Sequence, residues 1–430
     1  MRLLFVHQNC PGQFKHLAPR LAADPHNEVV FVTRKGKPDL PNIRKVEYEP
    51  SREASPSTHR YLRLTEEGII NGQAVARAAI DLRKGGFRPD VIVAHMGWGE
   101  ALYLKAVWPK ARLLGYFEWY YNPFGSDVDH DPAKPPTLDD VGRIQTKNSL
   151  HLLSLQAADW GITPTRWQWQ QHPREYRGQI SIIHDGIDTE TVRPNPQATG
   201  SLAGSLRLRA GDEVITHVAR NLEPYRGFPT FIRAAELIHK RRPNAQIIVV
   251  GGDGVSYGAK RSDGKTHREH YVSTADLDPS RIHFLGRVPY PIYLRILQLS
   301  AAHIYLTVPF VLSWSMLEAM SAGCLVVASR TPPVQEVIKD GHNGLLVDFF
   351  SPEEIAGRVD AVLEHPGRMQ EVRDAARQTV LERYALKSCL DQQIRLIERL
   401  AHGDRPLRKF SFPRYPAALP GKRSVIRESE

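Results

Sequence analysis

The segment from residue 304 to residue 350 carries the clearest chemistry in the sequence, because one glutamate, Glu318, lies in a helix-forming stretch between two apolar runs. The runs IYLT and CLVVAS are short and rich in β-branched residues, which is typical of buried parallel strands. Ser313 or Ser315 is placed to cap the intervening helix, and Gly323 is placed to end it. The first N–H groups of such a helix favour a phosphate. The segment predicts an anion site, although an ordinary buried βαβ unit has the same pattern.

Two arginines, Arg220 and Arg226, follow a second strand-like run, EVITHVAR, and precede a helical pattern. Cations at a strand-to-helix turn can stabilise negative charge that develops on a departing phosphate. Gly227 would relieve crowding at this turn. The structural alternative is a pair of surface arginines at the start of a helix.

The elements that must position these residues alternate between strands and helices. RLLFVHQ, VVFVT, DVIVAH and ARLLGYF predict one doubly wound parallel sheet, and EVITHVAR, AQIIVVGGDG, RIHFLG, HIYLT and CLVVAS predict a second one. The Pro- and Gly-rich stretch between them predicts a domain boundary near residues 186–200. We therefore expect an acceptor-binding domain at 1–190, a donor-binding domain at 191–402 and a basic, Pro-rich tail at 403–430. The carboxyl ends of both sets of strands would face one cleft.

Composition restricts the class of protein. The 430 residues are 41% hydrophobic and 24% charged, and no apolar run approaches the ~20 residues of a membrane helix. The first residues lack the pattern of a secretory signal, so we expect a cytoplasmic protein. Cys10, Cys324 and Cys389 are too widely spaced for a disulfide framework or a zinc site, and we expect reduced thiols.

The net charge of +10 fits an anionic partner, such as a nucleotide, a nucleic acid or an acidic membrane surface. No nucleic-acid-binding motif accompanies the charge, so nucleic acid is not expected as a partner. Part of the charge lies in residues 403–430, where basic and aromatic residues are interleaved. Packing or solvation is the preferred interpretation of this tail, and peripheral contact with an anionic membrane is the alternative.

Together these segments resemble the retaining GT-B glycosyltransferases of family 4, which include bacterial polysaccharide and lipid mannosyl- and glucosyltransferases. HVARNLEPYRGFPTFIRAAELI is similar to the family's Gly-Arg-Leu segment followed by Lys-Gly, IIVVGGDG to its Gly-rich strand end, RIHFLGRVPY to its nucleoside loop and HDGID to its Asn-Gly-Val-Asp hinge. The resemblance covers residues 1–400 and is strongest from Val214 to Val347. It implies two Rossmann-like domains facing a central cleft and a nucleotide-sugar donor.

The resemblance also implies roles for particular residues. Arg220 and Arg226 stand at phosphate-binding positions, with arginine in place of lysine at 226, and Glu318 stands where a carboxylate accepts hydrogen bonds from ribose hydroxyls. Gly12 would let the backbone approach the donor. The donor-binding residues expected on this basis are Gly12, Arg220, Arg226, Gly286, Arg287, Ser313, Ser315 and Glu318.

The sequence departs from the family's pattern at two places. Where the family has the first glutamate of its pair, this chain has Phe310, which cannot accept a hydrogen bond from the transferred sugar. Pro332 and Pro333 replace a Gly-Gly pair, and Glu336 remains nearby as a supporting or structural acid. The sequence therefore does not identify the group that orients the donor sugar.

On the acceptor side, Glu118 and His95 each follow a predicted strand that ends at the cleft. Glu118 takes the place of the histidine that the family tends to have there, and either residue could instead be structural. The expected catalytic residues are Arg220, Arg226, Glu118 and His95. The segment that contains Asp127, Asp129, His130 and Asp131 is interpreted as a turn-rich acidic loop over the acceptor cleft rather than as a metal site, because members of the family generally work without a metal. We expect no cofactor.

The predicted function is retaining transfer of a hexosyl unit from a UDP- or GDP-linked sugar to a hydroxyl of a glycan or lipid-linked acceptor, in cell-surface polysaccharide synthesis. The acceptor would attack from the face of the leaving group, so no protein nucleophile is needed. Two alternatives remain open: another GT-B enzyme, such as a nucleotide-sugar epimerase or a phosphorylase, and a non-catalytic relative that binds nucleotide.

Overall fold

A computed structural model describes residues 1–202 and 206–404. The first of its two parallel sheets consists of β1 (Arg2–Val6), β2 (Glu28–Arg34), β3 (Arg44–Tyr48), β4 (Val91–His95), β5 (Arg112–Tyr116), β6 (Trp160–Thr163) and β7 (Ile180–Ile182). The helices in this part of the chain are α1 (Leu17–Ala22), α2 (Arg63–Lys84), α3 (Leu104–Val107), α4 (Leu138–Ala157), α5 (Arg166–Gln171) and α6 (Arg174–Arg177). The strand order is β3-β2-β1-β4-β5-β6-β7, and every neighbouring pair is parallel.

The second sheet follows an antiparallel hairpin, β8 (Thr199–Leu202) and β9 (Leu206–Arg209). Its strands are β10 (Val214–Asn221), β11 (Gln246–Gly252), β12 (Ile282–Phe284), β13 (Ala302–Tyr305), β14 (Leu325–Ser329) and β15 (Leu345–Val347), in the order β12-β11-β10-β13-β14-β15. The remaining helices are α7 (Phe228–Arg241), α8 (His267–Ser273), α9 (Tyr290–Leu299), α10 (Trp314–Ser321), α11 (Pro332–Gln335), α12 (Pro352–Glu364), α13 (Gln370–Arg383) and α14 (Leu386–Ala401).

Two doubly wound α/β sheets were predicted, and that fold class is confirmed. Helices cover both faces of each sheet, so strands such as β1 are apolar along their length rather than alternating, and Leu3, Leu4, Phe5 and Val6 are all fully buried. The strands β3, β6, β7 and β15 were missed because runs of three to five residues carry little periodic signal. The predicted linker ends in β8, an element that its Pro- and Gly-rich composition concealed.

The last helix, α14, returns to the first sheet. Its buried residues Leu396, Ile397 and Leu400 pack in one cluster with Leu3 and Phe5 of β1. The predicted donor domain, 191–402, included this segment, but packing assigns α14 to the first sheet. Sequence could not make this assignment because an amphipathic helix does not specify which apolar surface it covers.

The chain therefore crosses between the sheets twice, and the two crossings pair with each other. The amide of Ile187 donates to the carbonyl of Tyr384 at 2.7 Å, and the amide of Leu386 donates to the carbonyl of Ile187 at 2.8 Å. A Cβ at Gly186, whose φ is 92°, would lie 2.7 Å from Cα of Leu386. Glycine at this position allows the two crossing segments to lie side by side.

Side chains of each half also contact the other half directly. The carboxylate of Glu336 accepts hydrogen bonds from the amides of Arg166 and Trp167, at 2.8 and 2.6 Å, at the start of α5. The ring of Trp119 lies 4.8 Å from the ring of Phe310 and joins the core of the second sheet. Glu336, expected as a supporting acid, thus binds the start of a helix in the other half of the molecule.

No helix within residues 1–202 and 206–404 has the length and apolarity needed to cross a membrane. Cys10, Cys324 and Cys389 are all buried and free. Apart from residues 403 and 404, the basic tail lies outside the described residues.

Prediction: replacing Leu396 with alanine should lower the free energy of unfolding by roughly 2–5 kcal/mol, because it leaves a cavity between α14 and β1. A melting curve would show this as a lower melting temperature. Arg395→Ala, on the exposed side of the same helix, is the matched control and should leave the curve almost unchanged. Equal melting temperatures for Leu396→Ala and the control would show that α14 is not docked on the first sheet.

Candidate functional site

The order of the second sheet reverses between β10 and β13, and a crevice opens at the carboxyl ends of these two strands. Arg226 lies in this crevice, in a short turn between β10 and α7, and only 7% of its surface is exposed. Its guanidinium donates to the hydroxyl of Thr307 at 2.6 Å, to that of Tyr305 at 3.4 Å and to the carbonyl of Val311 at 3.4 Å. The predicted cation is therefore a buried side chain fixed by the loop after β13.

All of these partners are neutral oxygens. Within residues 1–202 and 206–404, no carboxylate forms an ion pair with Arg226, whereas Arg242, at the end of α7, pairs with Asp360 and Glu364. A buried charge ordinarily has a partner of opposite charge, because the loss of hydration is otherwise costly. The site around Arg226 is accordingly suited to an anion.

The start of α10 lies next to this cation. The hydroxyl of Tyr305 accepts hydrogen bonds both from Arg226 and from the amide of Ser313, the latter at 2.9 Å. Ser313 caps α10 as predicted, since its hydroxyl accepts from the amide of Ser315, and Gly323 follows the end of the helix with a φ of 84°. The guanidinium and the positive end of the helix dipole thus meet around one tyrosine hydroxyl.

Glu318 lies on the second turn of α10 and is 8% exposed. One carboxylate oxygen accepts a hydrogen bond from Tyr290 at 2.7 Å, and the other accepts one from Tyr293 at 2.8 Å. These two tyrosines of α9 were missed, although their spacing of three residues places both on one helix face. Each carboxylate oxygen has a second lone pair, so Glu318 is held in position with further acceptor capacity.

The other predicted donor-binding residues lie at the ends of β10 and β12. Arg220 is exposed at the end of β10 and makes no hydrogen bond or ion pair within the described part of the chain. Arg287 donates to the side-chain oxygen of Asn221 at 3.1 Å, next to Gly286, whose φ is 63°. A Cβ at Gly252 would lie 2.7 Å from the same Asn221 oxygen, so only glycine fits there.

Glu223 is a residue of this site that sequence reasoning missed. Its fully buried carboxylate accepts hydrogen bonds from the amides of Ser256, Tyr257 and Gly258, at 3.1, 3.2 and 3.0 Å. These bonds fix the loop after β11 against the turn that carries Arg226. They also bring the ring of Tyr257 to 5.2 Å from the Arg226 guanidinium. In the sequence, this residue is marked only as an acid three residues before Arg226.

Phe310, which replaces the glutamate expected from the resemblance, fills its position with an apolar side chain. It is 7% exposed and makes edge-on contacts with Trp119, Tyr225 and Tyr257, with ring centroids 4.8, 5.9 and 5.2 Å away. Tyr225 in turn donates to Asp127 at 2.7 Å. This substitution turns a polar position into part of the contact between the two sheets.

Across the crevice, four residues at the ends of β1, β4 and β5 form one network. Glu118 accepts hydrogen bonds from the amide group of Gln13 at 2.8 Å and lies 3.4 Å from Nε2 of His95. Gln13 accepts from Nε2 of His7 at 2.6 Å. The Nδ1 atoms of both histidines accept from backbone amides two residues further on, which leaves the ring protons on Nε2. The structure therefore brings the predicted Glu118 and His95 together and adds His7 and Gln13.

The charge of this network follows from its surroundings. Burial raises the pKa of Glu118, but the close contact with Nε2 of His95 and the hydrogen bond from Gln13 lower the pKa overall. Burial and the nearby His95 lower the pKa of His7 to about 3, so His7 is neutral near pH 7. A carboxylate of lowered pKa is a weak base, and Glu118 is better suited to accept a hydrogen bond or stabilise positive charge than to remove a proton.

Gly12 has a role within the chain. Its φ is 53°, and a Cβ there would lie 2.5 Å from Nε2 of His7. The expected reason for this glycine was close approach of the donor, whereas the structure shows that the His7 ring already requires it.

Two carboxylates of the acidic loop between β5 and α4 have partners within the loop. Asp129 accepts from the amides of Gly125 and Ser126 at 2.7 and 3.0 Å, and Asp131 lies 3.7 Å from Lys134. His130 packs between Phe349 and Phe350 of the second half. Among the described residues there is no group of three or more His, Cys, Asp or Glu side chains placed to hold a metal ion. Through His130 and Asp127 the loop contacts the second half of the molecule.

Asp185, in the first crossing segment, was also missed. Its carboxylate accepts from the hydroxyl of Tyr116 at 2.9 and 3.0 Å and from Nε1 of Trp314 at 2.8 Å, so it connects β5 to the first residue of α10. Burial raises its pKa to about 7, more than the two donors lower it. This carboxyl group holds the start of the anion site against the first sheet.

Two family models match consecutive parts of the chain. The model described as "Glycosyl transferase family 4 group" matches residues 25–192, and the one described as "Glycosyl transferases group 1" matches residues 203–379. The junction of the two matches coincides with the segment between the sheets.

The chain is similar to curated relatives over about half of its length and to solved structures over nearly all of it. D-inositol 3-phosphate glycosyltransferase of Corynebacterium glutamicum is 28% identical over 43% of this chain and 44% of its own length. A GDP-mannose-dependent α-(1-6)-phosphatidylinositol monomannoside mannosyltransferase of Mycolicibacterium smegmatis is 26% identical over 48% and 52%. The match thus spans about half the length of these relatives.

Sucrose-phosphate synthase from Thermosynechococcus elongatus has a TM-score of 0.73 at 18% identity, covering 94% of this chain and 100% of that one. HepE of Anabaena, in complex with UDP-glucose, has a TM-score of 0.65 at 16% identity, covering 93% and 99%. These structures share the two-sheet fold over nearly the whole described chain.

Prediction: Asp185→Asn should change the pH dependence of stability. The folded-state pKa of Asp185, about 7, lies above its ordinary value of 3.8, so the folded protein holds a proton that the unfolded chain releases. Its contribution to stability is therefore present at low pH and is lost as the pH rises through 7. Asparagine keeps an acceptor for Trp314 without this titration.

The melting temperature of the wild type should accordingly fall relative to that of Asp185→Asn between pH 5 and pH 8. Parallel melting temperatures across this range would contradict the prediction. Asp391→Asn, a change at a partly exposed position on α14, controls for general charge effects, since within residues 1–202 and 206–404 Asp391 forms an ion pair with the exposed Lys387 alone.

Proposed function

The chain is a member of the family 4 group of GT-B glycosyltransferases, as the sequence predicted, and on this basis we propose that it transfers a hexosyl unit from a nucleotide sugar to an acceptor hydroxyl with retention of anomeric configuration. The donor would be UDP- or GDP-linked, and the acceptor a glycan or a lipid-linked sugar in cell-surface polysaccharide synthesis. Similar proteins support these classes, since one relative is GDP-mannose-dependent and one solved structure holds UDP-glucose.

The observation that carries the proposal is the buried guanidinium of Arg226, whose hydrogen-bond partners among the described residues are all neutral and which adjoins the start of α10. A donor diphosphate would supply the missing negative charge. Stabilisation of that charge becomes more important as the glycosidic bond breaks, because the diphosphate then leaves as an anion. Arg220, exposed at the end of β10, would add a second cation.

Glu318 would bind the ribose of the nucleotide. Its oxygens are oriented by Tyr290 and Tyr293 and keep lone pairs for two adjacent hydroxyls. The loop at Gly286 and Arg287 would lie along the nucleoside. Because Phe310 cannot accept a hydrogen bond, the transferred sugar would be oriented from the first sheet, where Glu118 is the available carboxylate.

In the proposed reaction, the bond from the anomeric carbon to the phosphate oxygen breaks, and a bond from that carbon to the acceptor oxygen forms on the same face. The leaving phosphate oxygen takes the proton of the acceptor hydroxyl, so the step needs no protein nucleophile and no separate base. Glu118, a carboxylate of lowered pKa, would stabilise the positive charge at the anomeric carbon. The contacts between the two sheets would exclude water and limit hydrolysis.

Prediction: Arg226→Ala should lower turnover by about a hundredfold or more, because the departing diphosphate loses its main counter-charge. The assay measures release of UDP or GDP from a panel of nucleotide sugars with and without glycan acceptors, and NMR of the product reports its anomeric configuration. Arg233→Ala, an exposed arginine on α7, is the matched control and should retain wild-type turnover.

Full activity of Arg226→Ala would remove this residue from the mechanism, and an inverted product would refute retention. Wild-type protein that binds nucleotide but never transfers a sugar would favour the non-catalytic alternative. The apolar Phe310, in place of the expected sugar-binding glutamate, is the feature that favours this alternative. Product formation without a separate acceptor would instead favour an epimerase.

Prediction: Glu318→Gln should reduce the preference for ribonucleotides. Wild-type protein should bind the nucleoside diphosphate about tenfold more tightly than its 2′,3′-dideoxy analogue. The analogue lacks the two ribose hydroxyls that would donate hydrogen bonds to Glu318. In the variant the two affinities should converge, as measured by calorimetry. Glu371→Gln, an exposed change on α13, is the control for lost charge. An undiminished preference in Glu318→Gln would exclude Glu318 as the ribose ligand.

A further inference from the structure

Lys15 belongs to the first half of the molecule but lies over aromatic rings of the second. Its Nζ atom is 4.5 Å from the centroid of the Trp314 ring and 5.9 Å from that of Tyr290. It follows the short turn Gly12–Phe14 after β1 and is partly buried. Its ammonium group therefore reaches across the crevice to the first residue of α10.

The two rings beneath Lys15 are each held by a carboxylate. Trp314 donates to Asp185 at 2.8 Å, and Tyr290 donates to Glu318 at 2.7 Å. Neither carboxylate is within ion-pair distance of Lys15, and no other acid in residues 1–202 or 206–404 pairs with it. Of the two acids, Asp185 is partly protonated near neutral pH, because burial raises its pKa to about 7. The ammonium group thus keeps its donors free.

A second cation lies on the other side of the same helix start. Arg226 donates to the hydroxyl of Tyr305, which also accepts from the amide of Ser313, the residue directly before Trp314. Lys15 and Arg226 thus flank the first turn of α10, one from each half of the molecule. The amide groups and dipole of that turn add positive potential between them. Among the described residues, neither cation forms an ion pair with a carboxylate.

We propose that Lys15 is a further donor-binding residue, which contacts the diphosphate of the nucleotide from the first sheet while Arg226 contacts it from the second. This inference rests on the proposed function, because it takes the anion to be a nucleoside diphosphate. Aromatic rings orient the ammonium group, and the anion completes its shell of hydrogen bonds. A diphosphate bound to both cations would also link the two halves, so donor binding would favour the closed arrangement.

The test compares Lys15→Met and Lys15→Arg with the wild type by calorimetry, using UDP, UMP and uridine and the guanosine series. Methionine preserves the aliphatic length and removes the charge. For whichever base the wild type prefers, Lys15→Met should bind the diphosphate about tenfold more weakly, on the scale of one charge-assisted hydrogen bond, and the nucleoside equally well. Lys15→Arg should retain most of the diphosphate affinity.

Lys35→Met is the matched control, since Lys35 is an exposed lysine of the same half, paired with Glu49 at 3.2 Å. Melting temperatures without ligand show whether Lys15→Met remains folded. Unchanged diphosphate affinity in a folded Lys15→Met would overturn the inference and leave the proposed function intact, with Lys15 only a cation–π contact between the halves. Equal loss for diphosphate and nucleoside would also overturn it. A wild type that binds no nucleotide would refute the proposed function itself.

Discussion

The arrangement of the candidate site depends on one buried positive charge. Arg226 lies almost entirely out of water, and Thr307, Tyr305 and Val311 supply neutral oxygens for its guanidinium. Such a charge is costly unless an anion joins it, and an anion brought to it also lies at the start of α10. The loop from Tyr305 to Ser313 holds this cation through neutral groups and does not neutralise it.

The second constraint is that the cation must lie between two sheets that stay in contact. Glu336 binds the start of α5, Asp185 joins Tyr116 to Trp314, and Trp119 packs on Phe310. These contacts join a buried polar group or ring of one half to the other half. They explain why Phe310 is tolerated where the resemblance expects a glutamate, since an apolar ring gains contact area at the interface.

The sequence identified most of the strands, the helical C-terminal part, the cap at Ser313 and the end of α10 at Gly323. It also selected Arg226, Glu118 and His95, which the structure places at the carboxyl ends of strands or in the turns that follow them, and Glu318, which lies on the second turn of α10. It missed Glu223, Asp185, Tyr290, Tyr293 and the pair His7 and Gln13. The signals for these residues were isolated side chains in unrelated segments. Nothing in their spacing indicates that Glu223 binds three amides of another loop or that Asp185 receives donors from residues 116 and 314.

By itself, the sequence determined the two doubly wound sheets and the identity of the chemical groups, because periodicity and local turn chemistry act over a few residues. Only the tertiary structure decided which groups meet. It assigned α14 to the first sheet, showed that Gly12 makes room for His7, and placed Lys15 beside the helix start that Arg226 adjoins. The physical reason is that hydrogen bonds, ion pairs and packing depend on distances of a few ångströms between residues far apart in the chain, and a local pattern carries no information about such distances.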